Sequence, residues 1–218
     1  MYTFLFACIP VFILLYCTAN ARFNWKSFIP PLAFGFLVAF AFYIGKKFMI
    51  FNRYVWTTNS VAAIMNIVIF EVIVPLLACL LVFVIFDRST VEYKAESLAP
   101  LVMTFFTVMV PFNVLNGDDR LSVFMIYAKP LLFAGMAVLL SVFASVAVDF
   151  FRKKNVPLGA VFVLLAVAII FVPAVVEASW YYSGSFFYVI VSAIFATVSV
   201  AVYLARGIIV AALDKKKA

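Results

Sequence analysis

The sequence predicts an all-α fold: a polytopic membrane helix bundle of about seven transmembrane helices, several of them kinked by proline, forming one domain over residues 1–218. Hydrophobic residues make up 68% of the chain and charged residues 11%, whereas soluble domains average about 45–50% and about 25%. The charged residues stand in short groups between long apolar runs. A soluble monomer does not tolerate that much exposed apolar surface, so the lipid bilayer is the predicted surrounding.

Seven apolar runs account for the predicted spans. Run 4–18 is interpreted as a short membrane helix, because no basic region precedes it as in a signal peptide. The second run opens on Pro30 and Pro31, which a first helical turn tolerates. The fifth run exceeds the roughly 20 residues that a bilayer requires, so its span begins at either Leu121 or Pro130. The approximate spans are 4–18, 28–44, 61–86, 98–115, 121–151, 156–176 and 185–213.

The basic residues predict how the chain is oriented. Residues 45–60 mix Lys46, Lys47 and Arg53 with aromatic side chains, a composition typical of a segment that lies at the membrane surface. The remaining Lys and Arg residues favour the loops that are cytoplasmic when the N-terminus is outside. The sequence therefore predicts a multi-pass protein of the cell membrane with an outer N-terminus and a cytoplasmic C-terminus.

Composition also excludes several function classes. The net charge of +7 does not indicate a nucleic-acid partner, because such sites cluster basic residues on one face or interleave them with stacking aromatics. Histidine is absent from the chain, which removes His-based triads, His-containing zinc sites and His-ligated haem. Cys8, Cys17 and Cys79 lack CxxC spacing and are predicted to be buried thiols. No catalytic residue, metal site or cofactor is predicted.

Glu71 is the most informative single residue. It lies near the middle of the third run, where a charged group costs roughly 2.5–3.5 kcal/mol on insertion scales. The carboxyl group must therefore be protonated, paired or in contact with water. It shares a helix face with Pro75, four residues later. Two interpretations follow: a proton- or cation-binding centre, or a neutral carboxyl group bonded to a backbone carbonyl that Pro75 frees.

Lys129 is the basic residue best placed to pair with Glu71. If the fifth span begins at Leu121, Lys129 is intramembrane and can bind an anion or neutralise Glu71. If the span begins at Pro130, Lys129 is an interface residue, and this is the preferred interpretation. Asn66 and Asn113 complete the candidate substrate- or ion-binding set, although such residues most often join helices by hydrogen bonds.

Other polar and small residues are assigned to helix ends and helix contacts. Glu177 is predicted to close the sixth run near the outer interface. Six of the seven runs contain proline, which either breaks helices for ion binding and hinging or reflects the frequency of proline in membrane helices.

In the last run, residues at four-residue spacing predict a helix-packing face, within the bundle or against a partner subunit: Ala193, Thr197, Ala201 and Ala205.

Three functions are compatible with these features. The preferred one is a transport component, either a small permease or an integral subunit bound to other membrane proteins, because the spans carry prolines and a mid-span carboxyl group. The alternative is a membrane enzyme, or an accessory to one, that acts on lipid or lipid-linked substrates through Lys46, Lys47, Arg53 and the Asp118-Asp119 turn. A structural membrane scaffold is the third.

Overall fold

The computed structural model describes residues 25–47, 59–87, 101–102, 104–106, 108–109 and 122–215. Within these ranges the secondary structure is helical apart from short turns and helix ends, with no strand. The all-α prediction is therefore confirmed for the described part of the chain. Four of its helices are long and apolar enough to cross a membrane.

The first half of the described chain contributes three helices. Helix α1 is Trp25–Lys47 and continues through Pro30 and Pro31. Helix α2 covers residues 60–87 and begins after Asn59, whose side chain accepts hydrogen bonds from two backbone N–H groups of the first turn. The helical residues within 101–109 form α3.

Helices α4 and α5 form an antiparallel hairpin. Helix α4 is Phe124–Arg152 and α5 is Val156–Ser183. Asn155 separates them and caps α5, where its side chain accepts a hydrogen bond from the third helical residue. The hairpin ends at Gly184, which has φ +64°, a backbone conformation that glycine adopts without steric cost. Helix α6, Phe187–Lys215, follows directly.

Helix α4 lies at the centre of the bundle. In its most apolar stretch 67% of the residues are buried, against 28% in α5 and 17% in α6. One apolar core joins Val72 and Leu76 of α2, Phe105 of α3, and Phe133 and Ala137 of α4. By contrast, α5 exposes a series of large side chains. Such a continuous apolar exterior is expected of helices that face lipid.

The observed helices match the predicted spans to different degrees. The runs 61–86, 121–151 and 185–213 agree with α2, α4 and α6 within a few residues. Run 28–44 lies within α1, whose apolar section Ile29–Gly45 is shorter than the four spanning helices. Span 4–18 and most of 45–60 and 98–115 lie outside the described residues. The seven-span count is therefore not confirmed.

The end of the sixth run was predicted too early. The prediction placed it at residue 176, whereas α5 continues to Ser183. The helix continues past residue 176 because Glu177 is buried inside the bundle. It ends at Gly184, whose left-handed backbone conformation terminates the helix. A hydropathy boundary drawn at the first charged residue therefore missed almost two helical turns.

Gly35 provides a test of the packing of α1 against α3. A Cβ atom at Gly35 would lie 2.5 Å from the carbonyl oxygen of Leu101 and 2.9 Å from Cβ of Thr104. We expect Gly35→Ala to lower the free energy of unfolding by about 1–3 kcal/mol through overpacking. Gly159→Ala is the control, because the three atoms nearest to its Cβ would belong to the ring of the exposed Phe151, which can rotate away. Thermal unfolding in detergent measures both; equal stabilities would contradict the close approach of α1 and α3.

Candidate functional site

Three charged side chains meet inside the bundle. Nζ of Lys129 lies 2.8 Å from Oε2 of Glu71 and donates a hydrogen bond of 2.8 Å to Oε1 of Glu177. Lys129 is 1% exposed, Glu71 8% and Glu177 0%. We refer to Glu71, Lys129 and Glu177 as the buried charge group. It connects α2, α4 and α5 through the ammonium of Lys129.

The hairpin geometry explains why Lys129 and Glu177 lie at the same height. Lys129 precedes Lys154 of the turn by 25 residues (154 − 129), and Glu177 follows it by 23 (177 − 154). In an antiparallel pair of helices, equal distances from the turn place two residues side by side. Lys129 lies seven residues after Ser122, which is itself non-helical. This corresponds to roughly 10 Å along the helix axis, so the ammonium is well inside α4.

Small residues allow α2 to approach α5 beside the charge group. Ala174 and Ala178 flank Glu177 on α5, and both are buried against Ile67 and Val68 of α2. A short side chain at each position lets the two helix backbones come close. Glu71, one turn along from Ile67, is thereby brought within reach of the Lys129 ammonium.

Two of the three helices change to π-helical geometry at the charge group. In α2 the π-helical segment is Val68–Ile73, which contains Glu71. In α4 it is Phe124–Ala128, which ends immediately before Lys129. Short π-helical segments within α-helices occur frequently at functional sites. They distinguish this part of the bundle from ordinary helix packing.

Prolines accompany the π-helical segments. Pro75 follows the segment in α2 by two residues, and Pro130 follows the segment in α4 by two residues. A proline ring collides with the carbonyl group four residues earlier and provides no N–H for it. A wider turn relieves this collision, and the carbonyl four residues before Pro75 is that of Glu71. On α5, Pro173 lies four residues before Glu177 and on the same face.

A salt bridge of this kind depends on complete pairing. Moving an ion from water into a low-dielectric interior costs several kcal/mol even after relaxation. The attraction between close opposite charges is also larger there than in water. The bonds from Lys129 to two carboxylates repay part of the desolvation cost. Any change that removes one partner leaves the others buried without it.

The location of Lys129 corrects the preferred interpretation of the sequence. That interpretation placed Lys129 at the membrane interface, with the span beginning at Pro130. Instead, the helix begins before Lys129, and the side chain is buried and paired with Glu71. The pairing with two carboxylates makes an inward orientation favourable. The intramembrane alternative agrees with this position, while a role in binding an ion stays a prediction.

Glu177 is the functional candidate that the sequence reasoning missed. It was assigned to the outer end of the sixth run, because it is the first charged residue after a long apolar stretch. A usable signal was present: each member of the charge group stands within four residues of a proline, in Glu71-x₃-Pro75, Lys129-Pro130 and Pro173-x₃-Glu177. This relation does not by itself predict that Glu177 joins Lys129, because it does not give the position of α5 relative to α4.

The other predicted candidates do not join the charge group in the described part of the chain. Asn66 is partly buried on α2, five residues before Glu71, and therefore points to a different side of the helix. Asn113 and Arg53 lie outside the described residues. Lys46 and Lys47 belong to the end of α1, but their side chains are outside the described part.

The predicted packing face of α6 points outward. Ala193, Thr197, Ala201 and Ala205 are all exposed, and the Thr197 hydroxyl donates a hydrogen bond to the Ala193 carbonyl of its own helix. The contact with α4 uses other small residues. Ser199 is buried, and its Oγ would lie 3.1 Å from a Cβ atom at Gly135. Packing of the predicted face within the described bundle is thus not observed, and packing against a partner subunit stays a prediction.

Asp149 and Arg206 form a second, peripheral ion pair. Nη2 of Arg206 lies 3.9 Å from Oδ2 of Asp149, and the Asp149 side chain is 57% exposed. This pair joins α4 to α6 near the hairpin turn, far from the buried charge group. Exposed pairs of this kind contribute little to stability, so Asp149 serves as a control for the buried carboxyl groups.

Comparison with protein-family models, curated proteins and solved structures found no match. In the part of the chain that the structure describes, the fold is all-α, with four helices long and apolar enough to cross a membrane.

Stability measurements can test the buried charge group. We expect Lys129→Met to lower the free energy of unfolding by about 3–5 kcal/mol, because it leaves two buried carboxylates without their shared cation. The triple variant Lys129→Met, Glu71→Gln, Glu177→Gln should recover much of this loss, since it removes all three charges. Chemical unfolding in mixed micelles measures the difference.

Lys153→Met is the matched control for this prediction. Lys153 is an exposed residue of the hairpin turn, and its replacement should leave stability nearly unchanged. If Lys129→Met and Lys153→Met have equal stabilities, or if the triple variant is less stable than Lys129→Met, Lys129 is not the cation that compensates the two carboxylates.

Proposed function

We propose that this chain is a transport component of the cell membrane and that the buried charge group is its ion-coupling centre. The observation that supports the proposal most strongly is the position of Lys129 between Glu71 and Glu177, 2.8 Å from each. Ionisable residues within membrane helices are rare, and they often form proton relays or ion pathways. Here three of them converge from three different helices.

The bonds of Lys129 suggest how ion binding would couple to helix movement. Lys129 on α4 attracts Glu71 on α2 and Glu177 on α5. A proton or metal cation that binds either carboxylate competes with the ammonium for the same oxygen atoms. Binding therefore weakens the link between α4 and one neighbouring helix. Coupling requires that a ligand interacts differently with two arrangements of the protein, and this competition provides such a difference.

The π-helical segments support the same proposal. A π-helical turn holds one more residue per hydrogen-bonded ring than an α-helical turn. Conversion between the two rotates the side chains on one side of the turn relative to the other. Because these segments contain Glu71 in α2 and directly precede Lys129 in α4, small changes of backbone hydrogen bonding would move the two charges relative to each other.

The outward face of α6 favours the subunit form of the proposal over a lone permease. Small residues on an exposed membrane helix allow another helix to approach closely. The orientation with the N-terminus outside and the C-terminus in the cytoplasm is part of the same proposal. It places Lys129, Glu177 and the aromatic residues Trp180–Tyr182 toward the outer side, since the hairpin turn at residues 153–155 is then cytoplasmic.

A scaffold with a purely structural salt bridge is the main competing explanation. Buried ion pairs contribute to the specificity of packing in some proteins without any ligand. The two explanations differ in what happens when a carboxyl group is replaced by an amide of the same shape. Both roles predict some loss of stability, but only a coupling role predicts that ion flux is also lost in the fraction of protein that stays folded.

The transport proposal is tested by ion flux. The protein should be extracted from native membranes in mild detergent, together with any subunits that accompany it, and reconstituted into vesicles with an internal pH-sensitive dye. We expect a flux driven by an ion gradient or membrane potential. Glu71→Gln and Glu177→Gln should reduce it at least about tenfold, because an amide cannot take up a proton or replace the charge of a carboxylate.

Asp149→Asn is the matched control for the flux measurement. It also replaces a carboxyl group by an amide, but in the exposed pair with Arg206, and we expect unchanged flux. If Glu71→Gln and Glu177→Gln proteins are folded and carry normal flux, the coupling proposal is wrong. Flux by the chain purified alone would identify a permease, and flux only with co-purified proteins would identify a subunit.

A further inference from the structure

We infer that the stacked rings of Phe124 and Trp180 form a gate that closes the buried charge group from the end of the α4–α5 hairpin opposite its turn, where Ser122 and Gly184 lie. The two ring centroids are 4.5 Å apart, and the ring planes differ by 5°. Phe124 belongs to α4 and Trp180 to α5. The inference rests on the proposed function, because a gate is useful only for a centre that exchanges an ion.

The position of the rings along the helices supports a gate. Phe124 precedes Lys129 by five residues (129 − 124), and Trp180 follows Glu177 by three (180 − 177). In antiparallel helices both displacements run toward the same end of the hairpin. They amount to roughly 7 Å and 5 Å along the axis. The stacked rings therefore lie between two members of the charge group and that end.

The surroundings of the rings are apolar. Phe124 is 1% exposed and packs in a cluster with Met125 and Val176. Trp180, which is partly exposed, and Tyr188 of α6 pack against the same cluster. Apolar constrictions close membrane pathways by excluding water. Phe124 is the fully buried ring of this constriction, and Trp180 is the partly exposed one.

A backbone hydrogen bond connects the Phe124 side of the gate to the charge group. The carbonyl group of Phe124 accepts a hydrogen bond from the backbone N–H of Lys129 across the π-helical turn. The carbonyl group of Trp180 accepts one of 2.7 Å from the backbone N–H of Gly184 at the end of α5. A conversion of the π-helical turn to α-helical geometry would therefore displace the Phe124 ring relative to Lys129. Movement at the charge group and separation of the rings are thus coupled.

The same hairpin contains a second aromatic stack that serves as a control. Phe150 of α4 and Phe162 of α5 have ring centroids 5.6 Å apart and planes differing by 13°. This pair lies near the turn, 21 residues from Lys129 (150 − 129). Like the proposed gate it is a stacked aromatic pair between α4 and α5, but it lies far from the charge group.

Thiol accessibility in nanodiscs tests the gate. The reporter is Ala128→Cys, a fully buried position next to Lys129, in protein whose native cysteines are removed by Cys8→Ser, Cys17→Ser and Cys79→Ala. The probe is a charged, membrane-impermeant methanethiosulfonate. We expect slow modification in this parent and about tenfold faster modification with Trp180→Ala, because an aromatic contact can bias an opening equilibrium by about that factor.

Three further variants make the result decisive. Trp180→Phe preserves a ring and should keep the slow rate, whereas Phe124→Ala should raise the rate as Trp180→Ala does. Phe150→Ala removes the control stack and should leave the rate unchanged. Slow modification in both Trp180→Ala and Phe124→Ala would overturn the gate. So would an equal increase with Phe150→Ala, or failure of both alanine variants to fold, since the rings would then serve packing alone.

The outcome is separable from that of the flux experiment. Tenfold faster thiol modification with Trp180→Ala, together with unaffected flux in Glu71→Gln and Glu177→Gln, would support the gate and reject the ion-coupling centre. An unchanged rate of thiol modification, together with lost flux in the carboxyl variants, would reject the gate and support the ion-coupling centre.

Discussion

An ammonium group buried among apolar helices is stable only if anions reach it from within the protein. This constraint determines the arrangement of α2, α4 and α5. Lys129 is bonded to Glu71 on one neighbouring helix and to Glu177 on the other. The three helices cannot slide or rotate independently without breaking one of these bonds, since water is not at hand to replace a lost partner. The same bonds that hold the bundle together are therefore those that a competing ion would disturb.

Proline chemistry gives this arrangement its local form. Pro75 and Pro130 each follow a π-helical segment by two residues, and α5 carries Pro173 one turn before Glu177. Proline cannot complete the regular hydrogen-bond ladder, and the helix is widened to π-helical geometry at Glu71 and directly before Lys129. The charge pairing thus coincides with backbone that departs from the regular α-helix. The aromatic rings of Phe124 and Trp180 lie beside this region, where a modest rearrangement would change their contact.

Much of the fold follows from the sequence because hydropathy and length specify a membrane helix with little need for tertiary information. The charge group is harder to predict. A lone mid-span Glu71 requires a partner, and Lys129 was identified as one candidate on that ground. Glu177 was not, since its role depends on the height of α5 relative to α4, which only the folded hairpin defines. Likewise, the four-residue spacing from Ala193 to Ala205 identified one face of α6 but not its neighbour, and the structure turns that face outward.

The central claim is that the Lys129 ammonium lies between the Glu71 and Glu177 carboxylates within the membrane. Solid-state NMR in lipid bilayers tests it directly, by dipolar coupling between ¹⁵N in lysine side chains and ¹³C in glutamate carboxyl groups. We predict strong coupling of the Lys129 nitrogen to two carboxyl carbons, each coupling disappearing in the corresponding Gln variant. A Lys129 nitrogen without such coupling and in rapid hydrogen exchange with water would contradict the account.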